Sequence, residues 1–145
     1  MYKPLLAATC AAFLLAACAD RTQAVVAAAS PQTQQPARNF MLFFANDRAT
    51  LTPDGEAVVH EAATVAKANP GAKVTVAGHA DTSGNAAYNM ALSQRRAEAV
   101  REAMLKDGVS QASVAVVGHG EDALSVSTRD GVREPKNRRV EIIVR

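Results

Sequence analysis

The sequence predicts an α/β fold of the α+β sandwich kind, in the order βαβαββ: a mixed four-stranded sheet with two helices packed on one face. Three observations carry that expectation. Apolar runs at 40–44, 74–77, 114–117 and 140–144 have strand length and are too short for helices. Two longer stretches between them place apolar residues three and four apart, the spacing of one helix face. Strands that alternate with helices imply crossover units, which lay helices against a sheet.

Taken in order, Phe40-Met41-Leu42-Phe43-Phe44 suits a buried strand, so the folded domain starts near Asn39. Thr52-Pro53 opens the first helix, because Thr caps free amides and Pro fits the first helical position. Ala57, Val58, Ala62, Val65 and Ala66 form its expected apolar face, and Asn69-Pro70-Gly71 stops it. Val74 to Ala77 is the second strand. The second helix runs from Ala86 to Lys106, with Met90, Ser93, Ala97, Val100 and Met104 as its buried stripe and Asp107-Gly108 as its end. Val114 to Val117 and Val140 to Val144 supply the last two strands, joined by a long polar connection from Gly118 to Asn137. A short echo links Val74-Thr75-Val76-Ala77-Gly78-His79 to Val114-Ala115-Val116-Val117-Gly118-His119. It reads as repeated strand-to-loop chemistry, not a duplicated domain.

The amino-terminal end reads differently. Lys3 supplies positive charge and Leu5 to Ala17 is almost entirely apolar, too short for a bilayer crossing, which takes about 20 residues. Residues 1–17 fit a secretory signal. Its end, Leu15-Ala16-Ala17-Cys18, resembles the lipobox of bacterial lipoproteins. That resemblance implies lipidation of Cys18 and cleavage before it, with several acyl chains giving a stable membrane anchor. Ala19 directly after the cysteine implies the outer membrane by the same family rule, with Asp20 one position later. Residues 18–38, rich in Ala, Gln, Thr, Ser and Pro, read as a flexible tether. About 20 such residues, fully extended, reach on the order of 65 Å. Only Cys10 and Cys18 occur, so residues 39–145 must be stable without a disulfide. The net charge of +2 comes from mixed acids and bases without a basic stripe, which excludes a nucleic-acid binder.

The informative stretch is Gly78-His79-Ala80-Asp81-Thr82-Ser83-Gly84, followed by Asn89-Met90-Ala91-Leu92-Ser93-Gln94-Arg95-Arg96-Ala97 and Val100. With Leu51-Thr52-Pro53 and Asn137-Arg138-Arg139-Val140-Glu141-Ile142, it resembles the signature of OmpA-like peptidoglycan-binding domains over essentially all of residues 39–145. The resemblance implies noncovalent binding of the diaminopimelate residue of the peptidoglycan stem peptide, tethering the outer membrane to the wall. Diaminopimelate ends in a zwitterion, so a receptor wants a fixed anion beside a fixed cation. By that resemblance Asp81 accepts the ammonium and Arg96 clamps the carboxylate, a task that suits the planar guanidinium fork. Asn89, Ser83, Asp47 and Arg138 are second-rank contributors. Where the family often has Asp after the first strand's last aromatic, Ala45 stands here, so the polar contact near that loop is either missing or moved to Asn46 or Asp47.

Spacing alone puts Asn89, Ser93 and Arg96 on nearly one helix face, beside the apolar stripe, where they could line a groove. It leaves open that Asp81 merely caps a loop and that Arg96 is solvated. His60, His79 and His119 lack metal-ligand spacing, so no metal or other cofactor is expected, and His79 reads as a structural loop hydrogen-bonder. Glu121-Asp122 reads as a solvated pair and no nucleophile has a supporting base, so an enzyme is not expected. The expected partners are peptidoglycan, a membrane through the lipid anchor, and envelope proteins. The alternative function is a wall-anchoring part of a larger secretion or motility complex.

Overall fold

A computed structural model describes residues 36–145. The expected signal segment, Cys18 and the tether up to residue 35 lie outside the described residues. The strands are β1 (Arg38–Phe43), β2 (Val74–Gly78), β3 (Val114–Gly118) and β4 (Arg139–Val144), and the helices are α1 (Pro53–Ala68) and α2 (Ala86–Lys106). Single 3-10 turns at Gln111–Ser113 and Pro135–Asn137 precede β3 and β4. The sheet order is β1-β4-β2-β3, with β4 antiparallel to both of its neighbours and β2 parallel to β3. The sheet is therefore mixed, and β1 begins one residue before the expected boundary.

Alternation within the strands sets the two faces of the sheet. Leu42, Val74, Val76, Val140, Ile142 and Val144 point into one core with α1 and α2. On the opposite face Met41, Phe43 and Val117 stay exposed. Both helices thus cover the same side. Thr52 caps α1, its Oγ1 accepting from Gly55 N at 3.2 Å, and Asn85 caps α2, its Oδ1 accepting from Tyr88 N at 2.8 Å. Asn69 closes α1, its Nδ2 donating to Val65 O at 2.6 Å.

Each helix is turned slightly from the face that periodicity suggests. α1 buries Gly55, Val59, Ala62, Ala63 and Ala66, while Ala57 is exposed and Val58 and Val65 are half-buried. The cause is Gly55. A Cβ there would sit 3.2 Å from Leu42 Cδ1, so its absence lets the helix roll toward β1. In α2 Met90 is exposed, whereas Asn89, Ser93 and Arg96 are buried with Ala97, Val100 and Met104. The polar stripe expected to line a groove is inside the domain.

The close approach of α2 also has a sequence cause. Gly78 and Gly118 are direct partners in the β2–β3 ladder. A Cβ on Gly78 would meet Ser93 O at 2.0 Å, and one on Gly118 would meet Ser93 Oγ at 2.9 Å. Two bare glycines side by side let α2 rest on the sheet at Ser93. The echo between the strands is thus one docking platform, and its histidines follow the same register.

Candidate functional site

Asp81 follows β2 by three residues and is only 4% exposed. Its Oδ1 accepts from Ser83 Oγ at 2.6 Å and Ser83 N at 3.2 Å. Its Oδ2 accepts from Arg138 Nη1 at 3.1 Å and Glu134 N at 3.2 Å. Burial alone would raise the carboxyl, but hydrogen bonds from Ser83, Arg138 and the Glu134 amide outweigh it and hold Asp81 below its usual range. The result is a fixed anion at neutral pH.

Arg96 is fully buried. Its Nε donates to Arg48 O at 2.8 Å, Nη1 to His79 O at 3.0 Å and Nη2 to Ala45 O at 3.1 Å. The guanidinium also lies 5.4 Å from the centroid of the Phe44 ring. Burial lowers its pKa to about 10, with Asp81 and Asp47 opposing the fall and Arg138 and Arg95 adding to it, so it stays charged at neutral pH. A guanidinium carries five N–H donors. Three are spent on these carbonyls, and the remaining two have no protein partner among the described residues.

The structure therefore brings Asp81, Ser83 and Arg138 into direct contact. Arg96 adjoins them through the His79 carbonyl and by electrostatics, without a hydrogen bond to Asp81. Arg138 also donates from Nε to Phe44 O at 3.2 Å, joining the Asp81 loop to the end of β1. Asn89 is turned inward, its Nδ2 donating to Glu121 Oε2 at 2.5 Å, and pins the connection after β3. Asp47 accepts from the Tyr88 hydroxyl. Tyr88, Glu121 and the Glu134 amide are participants that sequence reasoning missed. Tyr88 stands beside Asn89 in the motif, but no spacing rule links it to a residue 41 positions away.

The sequence profile of the OmpA family matches residues 43–138, more than half of the chain. The chain belongs to the OmpA family. An outer membrane protein of Gluconacetobacter diazotrophicus is 38% identical over 115 residues, covering 75% of this chain and 30% of that relative. A peptidoglycan-associated lipoprotein of Legionella pneumophila is 38% identical over 111 residues, covering 77% of this chain and 63% of that relative. The chain thus spans less than two thirds of the length of these curated relatives. The crystal structure of the peptidoglycan-associated lipoprotein from Burkholderia pseudomallei matches with a TM-score of 0.68 at 28% identity, covering 73% of this chain and 90% of that one.

Within this OmpA-family domain the long connection after β3 is tied to the site at several points. Gly120 N donates to Ser93 Oγ at 2.8 Å, and Ala80 N donates to Gly120 O at 2.7 Å. Gly131 N donates to Thr82 O at 2.7 Å. The side chain of Asn137, fully buried, both donates to and accepts from the Val126 backbone at 2.8 Å. The connection is folded structure that holds Glu134 and Arg138 against Asp81.

His79 departs from the loop hydrogen-bonding expected of it. Its backbone is bonded, but the ring is buried with neither nitrogen partnered. The ring stacks on His119 with centroids 5.0 Å apart, and Nε2 lies 3.9 Å from Glu141 Oε1. Arg139 lies beside them, bonded to the same Glu141 oxygen at 2.7 Å. Burial, with the Arg139 charge added, lowers the His79 pKa from 6.5 to about 4 against the pull of Glu141. The folded domain therefore favours the neutral ring. Its stabilising contribution is complete above pH 6.5 and is lost as pH falls toward about 4, where the folded ring also protonates. That gap corresponds to at most about 3 kcal/mol. Urea midpoints should fall between pH 7 and 4.5 in wild type and fall distinctly less in His79→Gln. Parallel pH curves for the two proteins would refute this account.

A cleft of about 710 Å³ opens elsewhere, between α1 and α2. Ala57, Ala99 and Ala103 lie along it with Thr50, His60 and Lys106, and none of the sequence-predicted site residues lines it. Among the described residues no group of three His, Cys, Asp or Glu is placed to hold a metal ion.

Proposed function

We propose that this domain binds peptidoglycan noncovalently, by the diaminopimelate end of the stem peptide, and performs no catalysis. The observation that carries the reading is a buried carboxylate, Asp81, held ionised beside two guanidinium groups, Arg138 and Arg96. That arrangement matches a zwitterion. The ligand ammonium exchanges with Arg138 at Asp81 Oδ2, and a local opening over the buried Arg96 lets the ligand carboxylate take its two uncommitted donors. Each charge-assisted contact contributes about 1.5–3 kcal/mol. A lysine-type stem lacks the carboxylate and leaves Arg96 without its partner, which disfavours it strongly. The Legionella and Burkholderia relatives are named peptidoglycan-associated lipoproteins, which supports peptidoglycan as the polymer and leaves its diaminopimelate end to this proposal.

The wider role follows from the ends of the chain. Cys18, lipidated, anchors the protein in the outer membrane, and residues 18–38 give the domain slack to reach the wall from the periplasmic side. No helix among the described residues is long and apolar enough to cross a membrane. The protein then works as a tether that resists separation of membrane and wall.

Peptidoglycan sedimentation tests the site. Asp81→Asn is expected to lose at least about tenfold in affinity, because the fixed anion disappears while its shape remains. Unchanged sedimentation of Asp81→Asn would show that the site is elsewhere, and release of soluble muropeptides would contradict a purely binding role.

A further inference from the structure

The turn between β1 and α1 is held in an unusual way. Arg48 N donates to Ala45 O at 3.3 Å, and between them Asp47 adopts φ 55°. This left-handed conformation is uncommon for a residue with a side chain and persists only where neighbouring contacts enforce it. Those contacts come from α2. From below, buried Arg96 donates to both carbonyls that flank the tip, Ala45 O and Arg48 O. From the rim, the Tyr88 hydroxyl donates to the Asp47 carboxylate. Tyr88 is itself fixed at both ends. Its amide is bonded to the Asn85 cap, and its ring lies 5.7 Å under the Arg95 guanidinium, one position from Arg96.

We infer that Tyr88 is a positioning residue for ligand recognition: by pinning the Asp47 turn it fixes the two carbonyls that orient Arg96, and so aims the guanidinium at a ligand carboxylate. The inference rests on the proposed diaminopimelate site. Tyr88 needs no contact with the ligand. Its hydroxyl adds a second tie between α2 and the β1–α1 turn, beside the two Arg96 bonds and on the solvent side, where Tyr88 is 41% exposed. Removing the hydroxyl frees the turn tip to leave its left-handed conformation. The Arg96 fork then loses its registration while its charge remains.

The test is calorimetric titration of wild type and Tyr88→Phe with two tripeptides, one carrying diaminopimelate and one carrying lysine. Wild type should prefer the diaminopimelate peptide. Tyr88→Phe should bind it about fivefold to tenfold more weakly, leave lysine-peptide binding unchanged, and keep its melting temperature within about 2 °C. Wild-type affinity in Tyr88→Phe, or equal losses for both peptides, would overturn the positioning role and leave the site itself standing. Failure of wild type to discriminate would instead remove the Arg96 reading, and with it this inference.

Discussion

Replacing Gly78 with alanine should destabilise the domain by at least about 3 kcal/mol, a large share of the roughly 5–15 kcal/mol that holds a domain of this size folded. The added Cβ would lie 2.0 Å from Ser93 O and 2.9 Å from Ser93 C. Both are backbone atoms in the middle of α2, so no rotamer change relieves the clash. The helix must lift from the sheet, carrying Arg96 and Ala97 with it and disturbing the bond from Gly120 N to Ser93 Oγ. For a domain of this length the thermal midpoint should drop by roughly 12–24 °C. Gly71→Ala is the comparison. Gly71 has φ 87° with nothing within 4 Å of its missing Cβ, so alanine there costs only the left-handed conformation, about 1 kcal/mol. Melting curves of the two variants separate the causes. Equal shifts would mean that contact between α2 and β2 is not what requires Gly78.

The second large effect is expected at Arg96. Arg96→Ala removes a donor from three backbone carbonyls, those of Ala45, Arg48 and His79, of which Ala45 O keeps the Arg48 amide, and opens a void under the Phe44 ring. An unpartnered buried acceptor costs about 1–3 kcal/mol, so the variant should lose about 3 kcal/mol or more. Arg96→Lys should fall between, because one ammonium cannot reach three acceptors in a plane. Urea denaturation measures both. A loss below about 1 kcal/mol in Arg96→Ala would contradict the structural role. The consequence for function is direct. Weak wall binding by Arg96→Ala reports folding as well as recognition, and Asp81→Asn, which keeps the shape but turns an amide NH2 toward two of the donors around Asp81, is read together with its own urea midpoint.

The element order, both helix starts and the span of α2 could be read from the sequence. Those features depend on local chemistry: Thr52 and Asn85 cap amides within three residues, and Gly108 takes the left-handed φ of 90° that ends α2. The motif likewise placed Asp81 and Arg96 as the pair of interest through family resemblance. Their surroundings were not legible. Periodicity made Met90 a core residue and left Arg96 open to a solvated reading, yet Met90 is exposed and Arg96 fully buried. A helical repeat fixes which residues share a face. How far the helix is rolled depends on what it packs against, and here the missing side chains of Gly78 and Gly118 set that roll. The sequence by itself determined the secondary structure, and through the family resemblance it singled out Asp81 and Arg96 as candidates. Tertiary structure alone decided that Arg138 is the partner of Asp81, that the Arg96 guanidinium is anchored by backbone carbonyls, and that Tyr88 reaches Asp47. Each of these contacts joins residues far apart in the chain, and only chain folding around the shared core brings them together.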